Sequence, residues 1–206
     1  NLRIIFCEDA RTTRRFIGKL LRGKVLVEEY VLFELTKSTT NQQLIEQINQ
    51  IKQPSEVGII SDAGCPGIAD PGSLLVAWAH KQSIQVVPLP GPSSILLAVM
   101  ASGLNGQSFA FNGYLPIDRL ERKKRIKELE RISKMANQTQ LFIETPYRND
   151  KMLDDLIEVC EKSTLLTISV DLTGATERIV TKPVGQWKKG ELVLGKRPTM
   201  FGFLAV

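Results

Sequence analysis

The sequence predicts an α/β protein built as two tandem α/β domains, residues 1–113 and 114–206. Three observations carry this. Short β-branched runs alternate with segments of helical period, and glycine- and proline-rich loops follow directly on apolar runs. The alternation also pauses once, at Gly113–Asp118 (GYLPID), before resuming. A β-α-β-α rhythm packs as a mainly parallel sheet with helices on both faces, and a Gly/Pro pause marks a domain boundary.

Arg3–Cys7 reads as a strand. The helix after it takes Asp9 as N-cap and sets Phe16, Ile17, Leu20 and Leu21 on one face. Val31–Glu34 is a weaker strand, and Leu44, Ile45, Ile48 and Ile51 give a helical stripe. Val57–Ser61 is a buried strand by composition, with a helix over Gly72–Lys81 and a further strand over Ile84–Leu89. The segment PGPSS opens a helix that runs to Ser102 and closes at Gly103. In the second half come a charged helix (Arg119–Met135), a strand (Gln140–Glu144), the loop TPYRN, a helix (Asp150–Cys160) and a strand (Leu165–Asp171). Glu177–Lys182 and Thr199–Leu204 read as two last strands joined by a hairpin-like connection.

Composition excludes several classes. With 43% hydrophobic and 24% charged residues, the chain has ordinary globular composition. No apolar run reaches the roughly 18 residues of a membrane span, no signal peptide is visible, and the expected compartment is the cytoplasm. Cys7, Cys65 and Cys160 lie far apart with a single histidine, His80, so neither a disulfide framework nor a metal site is expected. A net charge of +5 favours an anionic partner such as RNA.

Two segments carry chemistry. Ser61–Gly72 (SDAGCPGIADPG) follows a buried strand, and its three glycines and two prolines let backbone approach a ligand closely. Ligands of open α/β sheets bind outside the carboxyl ends of the strands, where this loop stands. It is neither a dinucleotide fingerprint nor a P-loop. Pro88–Ser94 (PLPGPSS) also follows a strand run, placing Ser93 and Ser94 at a helix start where free N–H groups and hydroxyls can hold a polar ligand. Each segment also reads as a plain structural turn or capped helix start; in combination they read as two walls of a pocket.

In this order and at this spacing, the two loops resemble those of the tetrapyrrole methylase family, and among its members the ribosomal RNA small-subunit methyltransferase I branch. CEDARTTR (Cys7–Arg14), FNGYLP (Phe111–Pro116), IETPYR (Ile143–Arg148) and DLTGATE (Asp171–Glu177) are similar to segments of that branch, so the resemblance covers nearly the whole chain. It implies two α/β domains with S-adenosylmethionine in the cleft between them, in a homodimer. It also implies cofactor contacts from Asp62, Ala63, Gly64, Cys65 and Ile68, mainly through backbone, since Gly64-Cys65-Pro66 stands where porphyrin-type members have Gly-Asp-Pro. Ser93 and Ser94 match the family's small hydroxyl pair beside the cofactor, and Glu144 and Thr173 fall where the second domain closes. The family's first strand and its cofactor-contacting loop are expected to lie outside this sequence, which opens at Asn1, and the basic C-terminal extension of some ribosomal members is not in it.

Methyl transfer to a ribose 2′-hydroxyl calls for a base. Glu8, Asp9 and Glu144 stand at strand ends; Glu8 is the sharper candidate, because Asp9 reads equally well as a helix cap. Arg11, Arg14 and Arg15, with Arg148, are candidate contacts for RNA phosphates or, alternatively, a solvated basic face. Arg119–Arg131 mixes both signs at helical spacing and reads as an ion-paired solvent helix. Three functions remain: ribose methylation of small-subunit ribosomal RNA, methylation of a tetrapyrrole or other small molecule, and non-catalytic nucleic-acid binding on a retained fold.

Overall fold

The computed structural model describes residues 2–22, 26–52 and 56–206, which group into two compact units, one ending at Pro92 and the other starting at Ser93. The boundary expected at 113/114 falls at the end of a strand of the second unit.

The first unit is a three-stranded parallel sheet, β1 (Ile4–Cys7), β2 (Val31–Glu34) and β3 (Val57–Ile60), in the order β2-β1-β3. The helices are α1 (Ala10–Leu21), α2 (Asn41–Ile48) and α3 (Ser73–Lys81). Alternation along β1 divides the core, because successive side chains of a strand point to opposite faces. Phe6 joins Phe33, Leu44 and Leu75 beneath α2 and α3, its ring 5.0 Å from that of Phe33. Ile5 and Cys7 turn the other way and pack with Ala10 and Ile17 of α1. Helices therefore cover both faces, as the rhythm predicts. Caps set their starts: Asp9 accepts from the Thr12 N–H at 2.5 Å, and Thr40 with Gln43 forms a capping box before α2.

Two expectations fail here. Phe16 and Leu20 do not face the core; they are 50% and 65% exposed, while Ala10, Thr13 and Ile17 make the buried stripe. Ile84–Leu89 is not a strand, despite its composition, and its Val87 is exposed. A strand needs a neighbour to take its N–H and C=O groups, and the described residues offer this run none.

The second unit holds α4 (Ser94–Ser102), β4 (Phe109–Tyr114), α5 (Arg119–Ala136), β5 (Thr139–Ile143), α6 (Asn149–Val159), β6 (Leu165–Val170), β7 (Arg178–Pro183) and β8 (Thr199–Leu204). Its sheet order is β4-β5-β8-β6-β7, with β4 and β5 parallel and the other pairings antiparallel. This corrects three expectations. The sheet is mixed rather than mainly parallel. β7 and β8 are not hairpin partners, because β6 lies between them. The pause at Gly113 is an irregularity inside β4, where Gly113 has φ +64 and the Asn112 amide donates to Gln140 Oε1 at 3.0 Å.

The core of this unit gathers Phe142, Phe201 and Phe203 with Leu166, Ile168, Leu156 and Ile126. Phe142 and Phe201 stack at 5.8 Å, and Phe203 meets Phe142 edge-on at 5.9 Å, geometries that suit the ring quadrupole. α5 is tied to α6 by ion pairs: Arg119 and Arg122 with Asp155, and Lys123 with Glu158. The ion-paired reading of α5 therefore holds. No helix of the described residues is long and apolar enough to cross a membrane.

Candidate active site

β1 and β3 run in register, Cys7 opposite Ile60, so the residues following each strand emerge side by side at the carboxyl edge of the sheet. Glu8 and Asp62 meet there: the Asp62 N–H points at Glu8 Oε2, 3.5 Å away. Asp9 turns aside to cap α1, and Glu34 from the end of β2 accepts from the Ala10 N–H at 2.9 Å. Two carboxylates thus take up N–H groups at the start of α1. Hydrogen bonds from the Thr12 backbone and side chain hold the Asp9 carboxyl below the usual carboxylate range. That makes Asp9 a cap first and a poor proton acceptor, and leaves Glu8 as the carboxylate facing the loop.

The loop after β3 is wound by backbone conformations that favour glycine. Gly64 and Gly67 both have φ +79, and the Gly67 N–H donates to Pro71 O at 3.1 Å. Ala69, at φ +64, holds a left-handed conformation that costs an L-residue free energy. Gly72 has φ +134, and a Cβ there would stand 3.2 Å from Gly67 N and 3.3 Å from Ile59 Cγ2. Gly72→Ala is therefore expected to lose about 1–3 kcal/mol. The measurement is urea unfolding alongside cofactor titration, and unchanged stability would contradict this account of the loop.

Asp70, at the far end of the loop, is the residue sequence reasoning passed over. Its carboxylate lies near Gly64, where a Cβ would be 3.9 Å from Oδ2. Burial raises its proton affinity most, followed by the negative charge of Glu8, while Lys37 works in the opposite sense. Asp62 is likewise raised, by burial and then by Glu8 and Asp9. Only distance in space reveals this grouping, since Glu8 and Asp70 are far apart in sequence. Behind the loop, Thr36, Lys37, Asp70, Gly72 and Ser73 border a cavity of about 410 Å³.

Because both carboxyls bind protons more tightly when folded, the folded state holds more protons across the carboxylate range. Stability from these groups therefore falls as pH rises through it. Asp70→Asn is expected to raise the melting temperature at pH 7 and to leave it nearly unchanged at pH 4. A lower melting temperature at neutral pH would refute it.

In the second unit, β5 and β6 also end at a common edge. Glu144, just past β5, has a fully buried side chain whose Oε1 accepts from Thr145 N at 2.6 Å and from Arg148 Nη2 at 2.5 Å. Its Oε2 is buried with no hydrogen-bond partner among the described residues. Arg148 is thus occupied by Glu144. Past β6, Asp171 and Thr173 have φ +50 and +66, unusual above all for the β-branched Thr173. The turn is held by Asp171 accepting from Thr176 and by Glu177 accepting from the Thr173 N–H. Ser93, at the N-cap of α4, is buried, and Ser94 is exposed; both belong to this unit, the glycine loop to the other. Of the remaining loop residues, Ala63 and Ile68 are exposed and the Cys65 thiol points at Pro92 O, 3.7 Å away. The described residues hold no His/Cys/Asp/Glu group able to bind a metal.

The family model for Tetrapyrrole (Corrin/Porphyrin) Methylases matches residues 1–187. The chain belongs to the tetrapyrrole methylase family. Among its relatives, a Ribosomal RNA small subunit methyltransferase I of Vibrio cholerae is 32% identical over 202 residues, covering 93% of this chain and 66% of the relative. One from Escherichia coli O157:H7 is 32% identical over 201 residues (93% and 67%), and one from Halalkalibacterium halodurans is 34% identical over 153 residues (74% and 50%). The chain spans about half to two thirds of the length of these relatives. Two solved structures share the fold of this tetrapyrrole methylase. The methyltransferase CobJ matches with TM-score 0.56 and 13% identity over 100% of both chains. A conserved hypothetical protein of Aeropyrum pernix K1 matches with TM-score 0.60 and 15% identity over 98% of this chain and 74% of that one.

Proposed function

We propose that this protein is an S-adenosylmethionine-dependent methyltransferase that methylates a ribose 2′-hydroxyl of small-subunit ribosomal RNA in the cytoplasm. The observation that carries the reading is the meeting of Glu8 with the glycine loop at the carboxyl edge of a parallel sheet, beside a helix bearing Arg11 and Arg14. Relatives that are ribosomal RNA small subunit methyltransferases support this acceptor.

The residues present fit the cofactor. Asp62, Ala63, Gly64, Cys65 and Ile68 offer open backbone on a loop shaped by positive φ angles, and Glu144 Oε2 is a buried acceptor suited to a donor from a ligand. In the second unit, Ser93, Ser94 and Thr173 are the cofactor contacts that the family resemblance implies. When bound, the cofactor supplies an electrophilic methyl group on a sulfonium, open to in-line displacement. The protein's part is alignment, which is where most of the catalysis in such a transfer lies. Glu8 would accept the hydroxyl proton as the acceptor oxygen takes the methyl group and its bond to the sulfonium breaks. Arg11 and Arg14 hold phosphates of the acceptor, while Arg148 keeps Glu144 oriented.

The test is transfer of radiolabelled methyl from S-adenosylmethionine by the full-length protein to small ribosomal subunits from a strain lacking the gene. Label in one ribose is expected. Cofactor binding with no labelled RNA would refute the ribosomal acceptor in favour of a tetrapyrrole or other small molecule. Absence of cofactor binding would leave the non-catalytic reading.

A further inference from the structure

The cations of this protein are of two kinds. On α5, Arg119, Arg122, Lys123, Arg125 and Lys134 pair with carboxylates, and the remaining cations Lys124, Lys127 and Arg131 share the helix with Glu121, Glu128 and Glu130. α1 differs. Arg11, Arg14, Arg15, Lys19 and its C-cap Arg22 are all exposed, the helix contains no acidic residue, and none of the five is in an ion pair among the described residues. Arg11, Arg15 and Lys19 recur every four residues, which puts them in one line along the helix. Beside this line Phe16 and Leu20 stand out at 50% and 65% exposure, although the buried stripe of Ala10, Thr13 and Ile17 leaves them no core role. The helix starts at the carboxylate edge of the sheet and runs back for about 18 Å.

We propose that the outer face of α1 is a rail for a single-stranded segment of the RNA acceptor. Its phosphates lie on Arg11, Arg15 and Lys19, one base stacks on Phe16, and the strand is led to the carboxylates beside Glu8. The proposal rests on the RNA-acceptor reading and adds the form of RNA recognised and its path. Exposed cations outside any ion pair, set against a protruding aromatic ring, are what an unpaired strand requires, since its bases have free faces to stack. A duplex hides those faces. A second copy packed α1 to α1 would set like charges together. A membrane surface would find only two apolar side chains to insert, because the rest of the helix's apolar face is in the core.

The test uses the full-length protein and fluorescence anisotropy with a labelled single-stranded RNA of small-subunit sequence, a hairpin duplex of the same composition and anionic phospholipid vesicles. The single strand is expected to bind more tightly than the duplex. Arg15→Gln/Lys19→Gln is expected to lower its affinity at least tenfold at low salt and to reduce the slope of log affinity against log salt by about 1.4. Phe16→Ala is expected to lower affinity roughly tenfold with the slope unchanged. Cofactor affinity should be the same in all variants, and Lys124→Gln/Lys127→Gln on α5 should bind as the wild type does. If the wild type methylates ribosomal RNA and the α1 variants bind it unchanged, the rail is wrong and the RNA acceptor stands. If the wild type methylates no RNA, the parent reading fails. Vesicle binding that depends on Arg15 and Lys19, without RNA binding, would make α1 a membrane face and overturn the proposal.

Discussion

Glu8→Gln is expected to lower kcat for methyl transfer by about 10²–10⁴-fold, the usual contribution of a positioned general base, with the dissociation constant for S-adenosylmethionine unchanged. The substitution keeps the shape of the side chain and an oxygen able to face the Asp62 N–H, a contact already long at 3.5 Å. Folding should therefore survive, and a circular dichroism melt checks that it does. Asp70→Asn is the informative companion, because burial and the Glu8 charge raise the proton affinity of Asp70. If Asp70→Asn removes activity and Glu8→Gln does not, the base has been assigned to the wrong carboxylate of the cluster. If neither changes kcat, proton removal does not limit the reaction and the cluster has another role.

Asp155→Ala should be the most damaging single change to the second unit, at about 3–5 kcal/mol. Asp155 is 1% exposed, and its two oxygens take Arg119 Nε at 3.0 Å and Arg122 Nε and Nη2 at 2.9 and 2.6 Å. Arg122 is itself 5% exposed, so removing its partner strands a buried cation. The guanidinium also donates to Ile117 O at 2.7 Å, which fastens the segment before α5 to the helix. Replacing both partners, as Arg122→Met/Asp155→Leu, should be far milder, because no lone charge remains. Urea unfolding followed by Trp187, buried in the same core, measures this, with Trp78→Phe silencing the first unit. A loss under 1 kcal/mol for Asp155→Ala would show that water reaches Arg122.

The loops of the candidate site were legible before any fold was known, and their geometry was not. SDAGCPGIADPG announces unusual backbone through its glycines, and the structure places positive φ at Gly64, Gly67 and Gly72. It also places one at Ala69, which no propensity would have chosen. Asp9 illustrates a choice that sequence left open: capping and catalysis ask for the same residue type, and only its 2.5 Å bond to Thr12 N decides between them. Arg148 is similar. Its type and loop fitted a phosphate contact, but four residues upstream a buried carboxylate was available to it.

By itself the sequence determined what neighbouring residues can settle. It fixed most helices by their period and the start of α1 by Asp9, the strands β1, β3, β5 and β6 by their apolar β-branched runs, and the family by two loops whose wording is specific. Tertiary structure alone decided which groups meet. It inserted β8 between β5 and β6, left Ile84–Leu89 without a ladder, turned Phe16 and Leu20 to solvent and brought Glu8 to Asp62 and Asp70. The physical reason is range. Period, caps and glycine conformations are set by atoms within a few residues, whereas strand pairing and charge clusters depend on the register of segments tens of residues apart.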